Sequence, residues 1–352
     1  RLTSPNDQAF RWITGAYYLR TNRDLKTTVF LDNNGTIAGF TPLFVFGNES
    51  NSNDAYAVFG QGAYDVTEKL ELSAALRFDA DDREQTDLLR NNAVRDKVFT
   101  KWQPKVTAKY KWTDAVMTYA TYSTGFRSGG FNAPTVTPTI FAKETTTNYE
   151  AGFKATLADG RLVLNGSAFH TKLKNAQIFK VDLSAGAQII DNVRRANLNG
   201  LELEAQARLA QGWDLFGGLG VTDSDIRNFN GTGAYIGNQL PNNTKFTLNG
   251  GSQYRFDITD QVEGMLRIDI DHRGKQYYHA DNLDYRKSIT LVDLRAGIDY
   301  QNWSLTGYVK NLTDKQYFSE YADAIWSGSA TGQDIGQLSR PRTYGVTAKA
   351  RF

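Results

Sequence analysis

Few residues of this chain are equipped for chemistry, and their spacing serves it poorly. There are three histidines, His170, His272 and His279. His272 and His279 are close enough in sequence to share a metal, yet no third ligand stands beside them. Cysteine is absent, which removes disulfides, thiolate ligands and thiol nucleophiles together. Glu202 and Glu204 have the spacing that puts two carboxylates on one face of a strand. Such a pair could do acid–base work, but two adjacent polar positions on a wetted face explain it more simply. The run Asp79, Ala80, Asp81, Asp82 has the charge for calcium and lacks the spaced ligands and glycine of a calcium loop. The stretch from Gly125 to Asn132 has glycines and a cation without the strand–loop–helix context of a phosphate cradle. No nucleophile–base pair can be placed, so the chain reads as a non-enzyme, with no cofactor and no metal site.

Binding is better served than catalysis. Arg127 is the only charge between Ala115 and Ala142, and Phe126 and Phe131, each beside a glycine, bracket it. Aromatic faces and a guanidinium suit a flat, anionic metal chelate through π-contact and charge. Phe126, Arg127, Phe131 and Asn132 are therefore candidate ligand contacts. Tyr277, Tyr278, Tyr317, Tyr321 and Trp326 occupy comparable connecting segments and join them. For each, an aromatic girdle or an internally packed loop is the alternative.

The elements that must position these residues are strands. From Tyr344 to Phe352 the chain alternates without a break: Tyr344, Val346, Ala348, Ala350 and Phe352 on one face, Gly345, Thr347, Lys349 and Arg351 on the other. Period two is the side-chain period of a strand. The same alternation puts Trp102, Val106, Ala108, Tyr110 and Trp112 opposite Gln103, Lys105, Thr107, Lys109 and Lys111. It puts Leu70, Leu72, Ala74, Leu76 and Phe78 opposite Glu71, Ser73, Arg77 and Asp79. Leu201, Leu203, Ala205, Ala207 and Leu209 likewise oppose Glu202, Glu204, Gln206 and Arg208. Read throughout, the pattern predicts roughly fourteen strands near 10–22, 54–65, 69–80, 102–111, 115–125, 145–157, 161–176, 197–209, 213–223, 244–255, 262–275, 289–299, 303–311 and 341–352. The facing of 54–65, 115–125 and 161–176 stays open.

Short turns and long connections alternate strictly between these strands. The long ones lie near 23–53, 81–101, 126–144, 177–196, 224–243, 276–288 and 312–340. A soluble sandwich has no reason to gather every long connection at one end, whereas a transmembrane barrel has short periplasmic turns and long external loops. One face of the strands is densely charged with both signs; on a lipid face each such charge would cost ~2–4 kcal/mol near the midplane, so this face belongs to a lumen. Mean hydropathy is −0.48, and no window reaches the ~20 apolar residues of a membrane helix. Barrel strands escape both measures because alternate residues alone touch lipid. The 40 basic and 38 acidic residues balance, giving no electrostatic footprint for nucleic acid. The expected fold is an all-β, antiparallel transmembrane β-barrel wall over residues 1–352.

Four stretches and the tail carry a family resemblance: Tyr119–Asn132 (YATYSTGFRSGGFN); Glu144 through NYEAGFK to ADGRLVLNGSAF; Asn197–Glu204 (NLNGLELE); and Tyr308–Tyr317 (YVKNLTDKQY), followed by RPRTY and the terminal aromatic. In this order they resemble the C-terminal half of TonB-dependent outer-membrane receptors. The resemblance implies a barrel of about 22 strands filled by an N-terminal plug, in the bacterial outer membrane. It further implies import of a scarce nutrient, with a ferric siderophore the leading choice, energised by the TonB complex through that plug. Phe352 would be the signal read by the barrel assembly machinery. Fourteen strands fall short of that count. Arg1 opens the chain without an export signal, so the resemblance implies a fragment beginning near the ninth strand, lacking the plug. A self-contained fourteen-stranded diffusion porin and a barrel-embedded hydrolase are the competing readings.

Overall fold

The computed structural model describes residues 1–31, 41–134, 136–182, 187–230, 233–324, 332 and 334–351. Its strands are, in order, β1 (Leu2–Thr3), β2 (Phe10–Leu31), β3 (Thr41–Asp65), β4 (Leu70–Asp87), β5 (Ala93–Lys111), β6 (Val116–Arg127) and β7 (Gly130–Phe131). There follow β8 (Ile140–Phe141), β9 (Glu144–Leu157), β10 (Leu162–Asp182), β11 (Ala187–Ala210), β12 (Trp213–Asn228), β13 (Phe246–Thr259) and β14 (Val262–Arg273). The last are β15 (Gln276–Tyr277), β16 (Tyr285–Arg286), β17 (Ile289–Tyr300), β18 (Trp303–Lys310), β19 (Phe318–Ala322), β20 (Ile335–Leu338) and β21 (Thr343–Ala350). One 15-stranded sheet runs β1-β2-β3-β4-β5-β6-β9-β10-β11-β12-β13-β14-β17-β18-β21, and β7–β8, β15–β16 and β19–β20 are separate two-stranded ribbons. Every pairing in the large sheet is antiparallel, so it is a meander whose interruptions are small ribbons carried in loops. All fourteen predicted strands are present, in order; the fifteenth is β1, which pairs through Leu2 and Thr3 alone.

The faces follow the alternation. Trp102, Val106 and Trp112 are each more than half exposed on the apolar face. The three strands left open now have sides: Tyr56, Val58 and Tyr64 of β3 and Tyr122 of β6 are exposed outward. Leu162, Leu164 and Ala168 of β10 continue that outward row. Aromatics gather at the two ends of the apolar band. Toward the long connections, Tyr18 packs on Tyr56 at 5.1 Å, Phe78 on Trp102 at 4.7 Å and Tyr122 on Tyr149 at 5.4 Å. Toward the short turns lie Tyr110 with Trp112 at 4.7 Å and Tyr254 with Phe256 at 5.5 Å. Ten residues separate Trp102 from Trp112 (112 − 102). At ~3.3 Å per residue and a tilt near 40° that is ~25 Å of height, the depth of the hydrocarbon band of a barrel. On the lumen side, Gly200 lies under the Phe169 ring and Gly345 under Tyr308; a Cβ at either glycine would collide with that ring. These flat pairs keep a wall free of protruding bulk.

Three of the predicted long loops are largely strand in their described residues. Residues 23–31 and 41–53, 81–87 and 93–101, and 177–182 and 187–196 continue the ladders of β2–β3, β4–β5 and β10–β11, with registers running to Leu31↔Thr41, Asp87↔Ala93 and Asp182↔Ala187. Above the bilayer both faces of a hairpin meet water or other loops, so the polar/apolar alternation that marks a strand disappears while its hydrogen bonds persist. The buried apolar core sits here, not inside the barrel. Val193 and Ile226 are fully enclosed, with Ala176, Ile178, Ala196, Phe229, Leu240 and Ala280 around them. Truncating a side chain such as Ile226 to alanine in such a cluster costs ~2–5 kcal/mol.

Candidate ligand site

The two groups of sequence-selected residues occupy different surroundings. In the first, alternation along β6 separates the neighbours. Phe126 continues the outward row of Tyr122, whereas Arg127 continues the lumen row of Tyr119 and Thr121. Arg127 is exposed at the mouth, and its side chain makes no hydrogen bond or ion pair among the described residues. Phe131 is occupied from within: the Arg95 guanidinium lies 5.3 Å from its ring centroid. Arg95 also donates to the carbonyls of Asn132 at 2.9 Å and Thr139 at 3.3 Å, and to Gln85. Asn132 is buried. Its amide donates to the Pro138 and Ile190 carbonyls at 2.7 and 2.9 Å and accepts the Ile190 N–H at 2.8 Å. That set of bonds ties the turn to β11. The Gln177 amide adds a bond to the Ser128 carbonyl at 2.7 Å, so this turn is fastened on both sides.

The second group builds a cleft of about 450 Å³ between the loop that carries β15–β16 and the loop that carries β19–β20. Tyr278, Tyr317 and Tyr321 line it together with Tyr285 and Phe318. Tyr278 and Tyr321 rings sit 5.5 Å apart, and Phe318 and Tyr321 5.8 Å. The Tyr278 hydroxyl donates to the Phe318 carbonyl at 2.7 Å, joining the two loops, and burial pushes its pKa up. The Tyr321 hydroxyl donates to Asp334 at 2.6 Å. That bond pushes the phenol up to about 12 and holds the Asp334 carboxyl below its usual range. Tyr277 stands beside the cleft, with the Lys275 ammonium 4.3 Å from its ring centroid and 3.8 Å from that of Tyr285.

Three cations that the sequence reading passed over line the same cleft: Arg286, Lys287 and Lys315. Arg286 is buried. It donates to the Gly274 carbonyl at 3.3 Å and to the Gln276 side chain at 3.1 Å, and lies 5.8 Å from the Tyr317 ring centroid. No described carboxylate comes within ion-pair distance of it, and Asp271 of β14 is bridged to Arg273 at 2.9 Å. Burial therefore lowers the Arg286 pKa. An uncompensated buried guanidinium is unfavourable by itself and becomes favourable when an anion docks. The mark of Arg286 and Lys287 in the sequence is Tyr285–Arg286–Lys287, a cationic pair beside a tyrosine.

An asparagine clasp fixes the loop holding Arg286. Asn238 donates to the carbonyls of Ala280 and Asp281, both at 2.9 Å. Asn282 accepts the Gln239 N–H at 2.7 Å and returns a bond to the Gln239 carbonyl at 2.9 Å. The residues considered for other chemistry lie elsewhere. Glu202 faces Ser167 and Gly220, and Glu204 faces Asn165 and Gly218, neighbours that offer no acid–base partner. Asp79 and Asp81 are bridged by Arg77 at 2.7 Å and Arg83 at 2.9 Å. His272 bonds Thr290 at 2.8 Å on the outward row. Trp326 and Phe352 lie outside the described residues.

A strand wall with a charged lumen, two aromatic girdles and a folded external layer defines a bacterial outer-membrane β-barrel. The chain belongs to the TonB-dependent receptor family: the family model for "TonB dependent receptor-like, beta-barrel" matches residues 2–312. The pesticin receptor of Yersinia pestis is 26% identical over 259 residues, covering 70% of this chain and 36% of that protein. The metal-pseudopaline receptor CntO of Pseudomonas aeruginosa is 26% identical over 300 residues, covering 80% and 40%. Among solved structures, the ferric yersiniabactin uptake receptor FyuA from Yersinia pestis superposes with a TM-score of 0.80 at 20% identity, over 99% of this chain and 52% of that one. The chain thus spans well under half the length of these sequence relatives and about half that of the structure.

Proposed function

We propose that this chain is the wall and external layer of a receptor that takes up an anionic metal chelate, a ferric siderophore in the first instance, across the outer membrane. The observation that carries the reading is the tyrosine-walled cleft at the mouth, where buried Arg286 makes no ion pair among the described residues and, with Lys287 and Lys315, outnumbers the one acid of the lining, Asp284. Aromatic walls accept the flat faces of such a chelate, and the cations answer its charge. A relative named as a probable TonB-dependent siderophore receptor and one named as a metal-pseudopaline receptor support the same class. Arg127, exposed on the lumen row, is a second contact reached as the chelate moves inward; Phe131 and Asn132 act behind it as scaffold. Uptake draws its energy from the TonB complex through a plug seated in the lumen, against the charged row that includes Lys105, Glu150 and Lys154.

The test is uptake of radioiron by the intact strain and by one lacking this gene, each supplied in turn with ferric citrate, a ferric catecholate and a ferric phenolate–thiazoline chelate. Gene-dependent uptake of at least one, abolished by removing TonB, is the expected result. Equal uptake with and without the gene would overturn it. Steady ion conduction by the intact receptor in a planar bilayer, with no chelate import, would make the barrel a porin. Assembly has its own test: deleting Phe352, the end of the apolar stripe, is expected to slow appearance of the heat-modifiable barrel. Unchanged barrel levels in the deletion strain would remove its role as the signal for the assembly machinery.

A further inference from the structure

A group of cations without acidic partners sits on the outward face of the wall, directly above the outer aromatic girdle. Lys172 and Lys174 of β10 continue the row of Ala168 and His170, whose partners in β9 are Ala151 and Tyr149. Contacts along this row are continuous. The Tyr149 ring is 5.4 Å from Tyr122 and 6.4 Å from His170, and the Lys172 ammonium is 5.6 Å from the Tyr149 centroid. On the other side Lys174 is the direct cross-strand partner of Arg195, and opposed like charges on a sheet destabilise the pair. Arg194 is exposed as well as Arg195, although they lie between Val193 and Ala196, which are 0% and 1% exposed. Asn175, in the left-handed region at φ 56, interrupts the alternation at this level and lets two successive arginines face out.

The surrounding acids are already engaged. Glu144 accepts the Gln177 N–H at 2.7 Å, and Asp191 accepts the Asn192 N–H at 2.7 Å and the Asn230 amide. On β12, Asp225 is bridged by Arg227 and Asp223 by Lys245. None of Lys172, Lys174, Arg194 and Arg195 makes an ion pair among the described residues. Lys143, which donates to the Thr100 carbonyl, is pulled below its ordinary value by burial and by the like charges of Lys101 and Lys174. The height is also defined. Lys172 stands ten residues above Leu162 (172 − 162), the first residue of β10 after a short turn. That distance is ~33 Å along the strand, or ~25 Å of vertical rise at a tilt near 40°, which brings the ammonium to the outer head-group level.

We infer that Lys172, Lys174, Arg194 and Arg195 form a docking site for the sugar phosphates of a phosphorylated glycolipid of the outer leaflet, the lipid A part of lipopolysaccharide. Its acyl chains lie down the outward row past Tyr122, Tyr149 and Phe153. A phosphate bridging Lys174 and Arg195 turns their mutual repulsion into two charge-assisted hydrogen bonds. The apolar row beneath the cations is what selects a lipid over a free anion.

The experiment uses the intact receptor, stripped of lipid in detergent and incubated with lipopolysaccharide, with retained lipid read by native mass spectrometry. Wild type is expected to retain it, and the variant Lys172→Gln, Lys174→Gln, Arg194→Gln, Arg195→Gln to retain at least about tenfold less, on the scale of four head-group cations. Lys172→Arg with Lys174→Arg, which keeps the charge, is expected to retain it as wild type does. Heat-modifiability and ferric-chelate uptake are expected to match wild type in both, which separates this site from the cleft. Equal retention by the glutamine variant would overturn the assignment. So would equal binding of lipopolysaccharide with its lipid A phosphates removed, or full displacement by inorganic phosphate, which would make this a free-anion site.

Discussion

The turn at residues 126–142 and the cleft between the β15–β16 and β19–β20 loops are built from the same residue types, aromatics with a guanidinium, and they differ in what is left uncommitted. In the turn, Arg95 covers Phe131 and Asn132 bonds on three sides, so the aromatic and the amide are occupied by the protein itself. In the cleft, Tyr278 and Tyr321 are anchored through their hydroxyls while their rings line open space, and Arg286 makes no ion pair among the described residues. The difference is one of space: the rings of the cleft line an open volume of about 450 Å³, whereas Phe131 and Asn132 pack against Arg95 and β11.

The largest expected effect is at Arg286. Arg286→Gln with Tyr317→Ala is expected to weaken chelate binding by ~2–4 kcal/mol, the range of a hot-spot pair, with surface expression unchanged; titration of ferric chelate on whole cells measures it. Unaltered affinity would move the site elsewhere. Asn132→Ala tests the joint. It leaves the Ile190 N–H and two carbonyls without partners, and a loss of ~2–3 kcal/mol in local stability is expected. Faster amide exchange across 128–142 with unchanged ligand affinity would be its signature, and weakened binding alone would reverse the assignment. Arg127 sharpens the contrast within one turn. Arg127→Ala is expected to cost binding ~1 kcal/mol, the scale of one charged contact. Adding Phe131→Ala should leave affinity where Arg127→Ala put it, because that ring belongs to Arg95.

The smallest effect is in pH. Tyr321 titrates at about 12 when its hydroxyl is held by Asp334, above the ~10 of a free tyrosine. A folded-state value raised in this way contributes stability that is complete below pH ~10 and is lost as pH climbs toward 12. Phenolate absorbance should place Tyr321 with Tyr278 among the late-titrating tyrosines, and Tyr321→Phe should lower the late amplitude by one phenol. A variant with the same titration curve would leave the bond between Tyr321 and Asp334 without consequence.

By itself the sequence determined the wall. Period-two alternation is a local property, and lipid on one face with a polar lumen on the other enforces it residue by residue. Trp102 to Trp112 and Leu201 to Leu209 were therefore legible, as was the alternation of short turns with long connections. The tertiary structure alone decided the external layer. Above the bilayer that two-sided constraint lapses, so the upper parts of β2–β3, β4–β5 and β10–β11 read as loops although their ladders continue. Contacts there join residues far apart in the chain: Asn132 with Ile190, Asn238 with Ala280, Tyr278 with Phe318. Tyr277, Tyr278, Tyr317 and Tyr321 could be selected by type and loop position. That three of them share a cleft with Arg286, while Phe131 is covered by Arg95, depends on which loops meet, and no spacing along the chain encodes that.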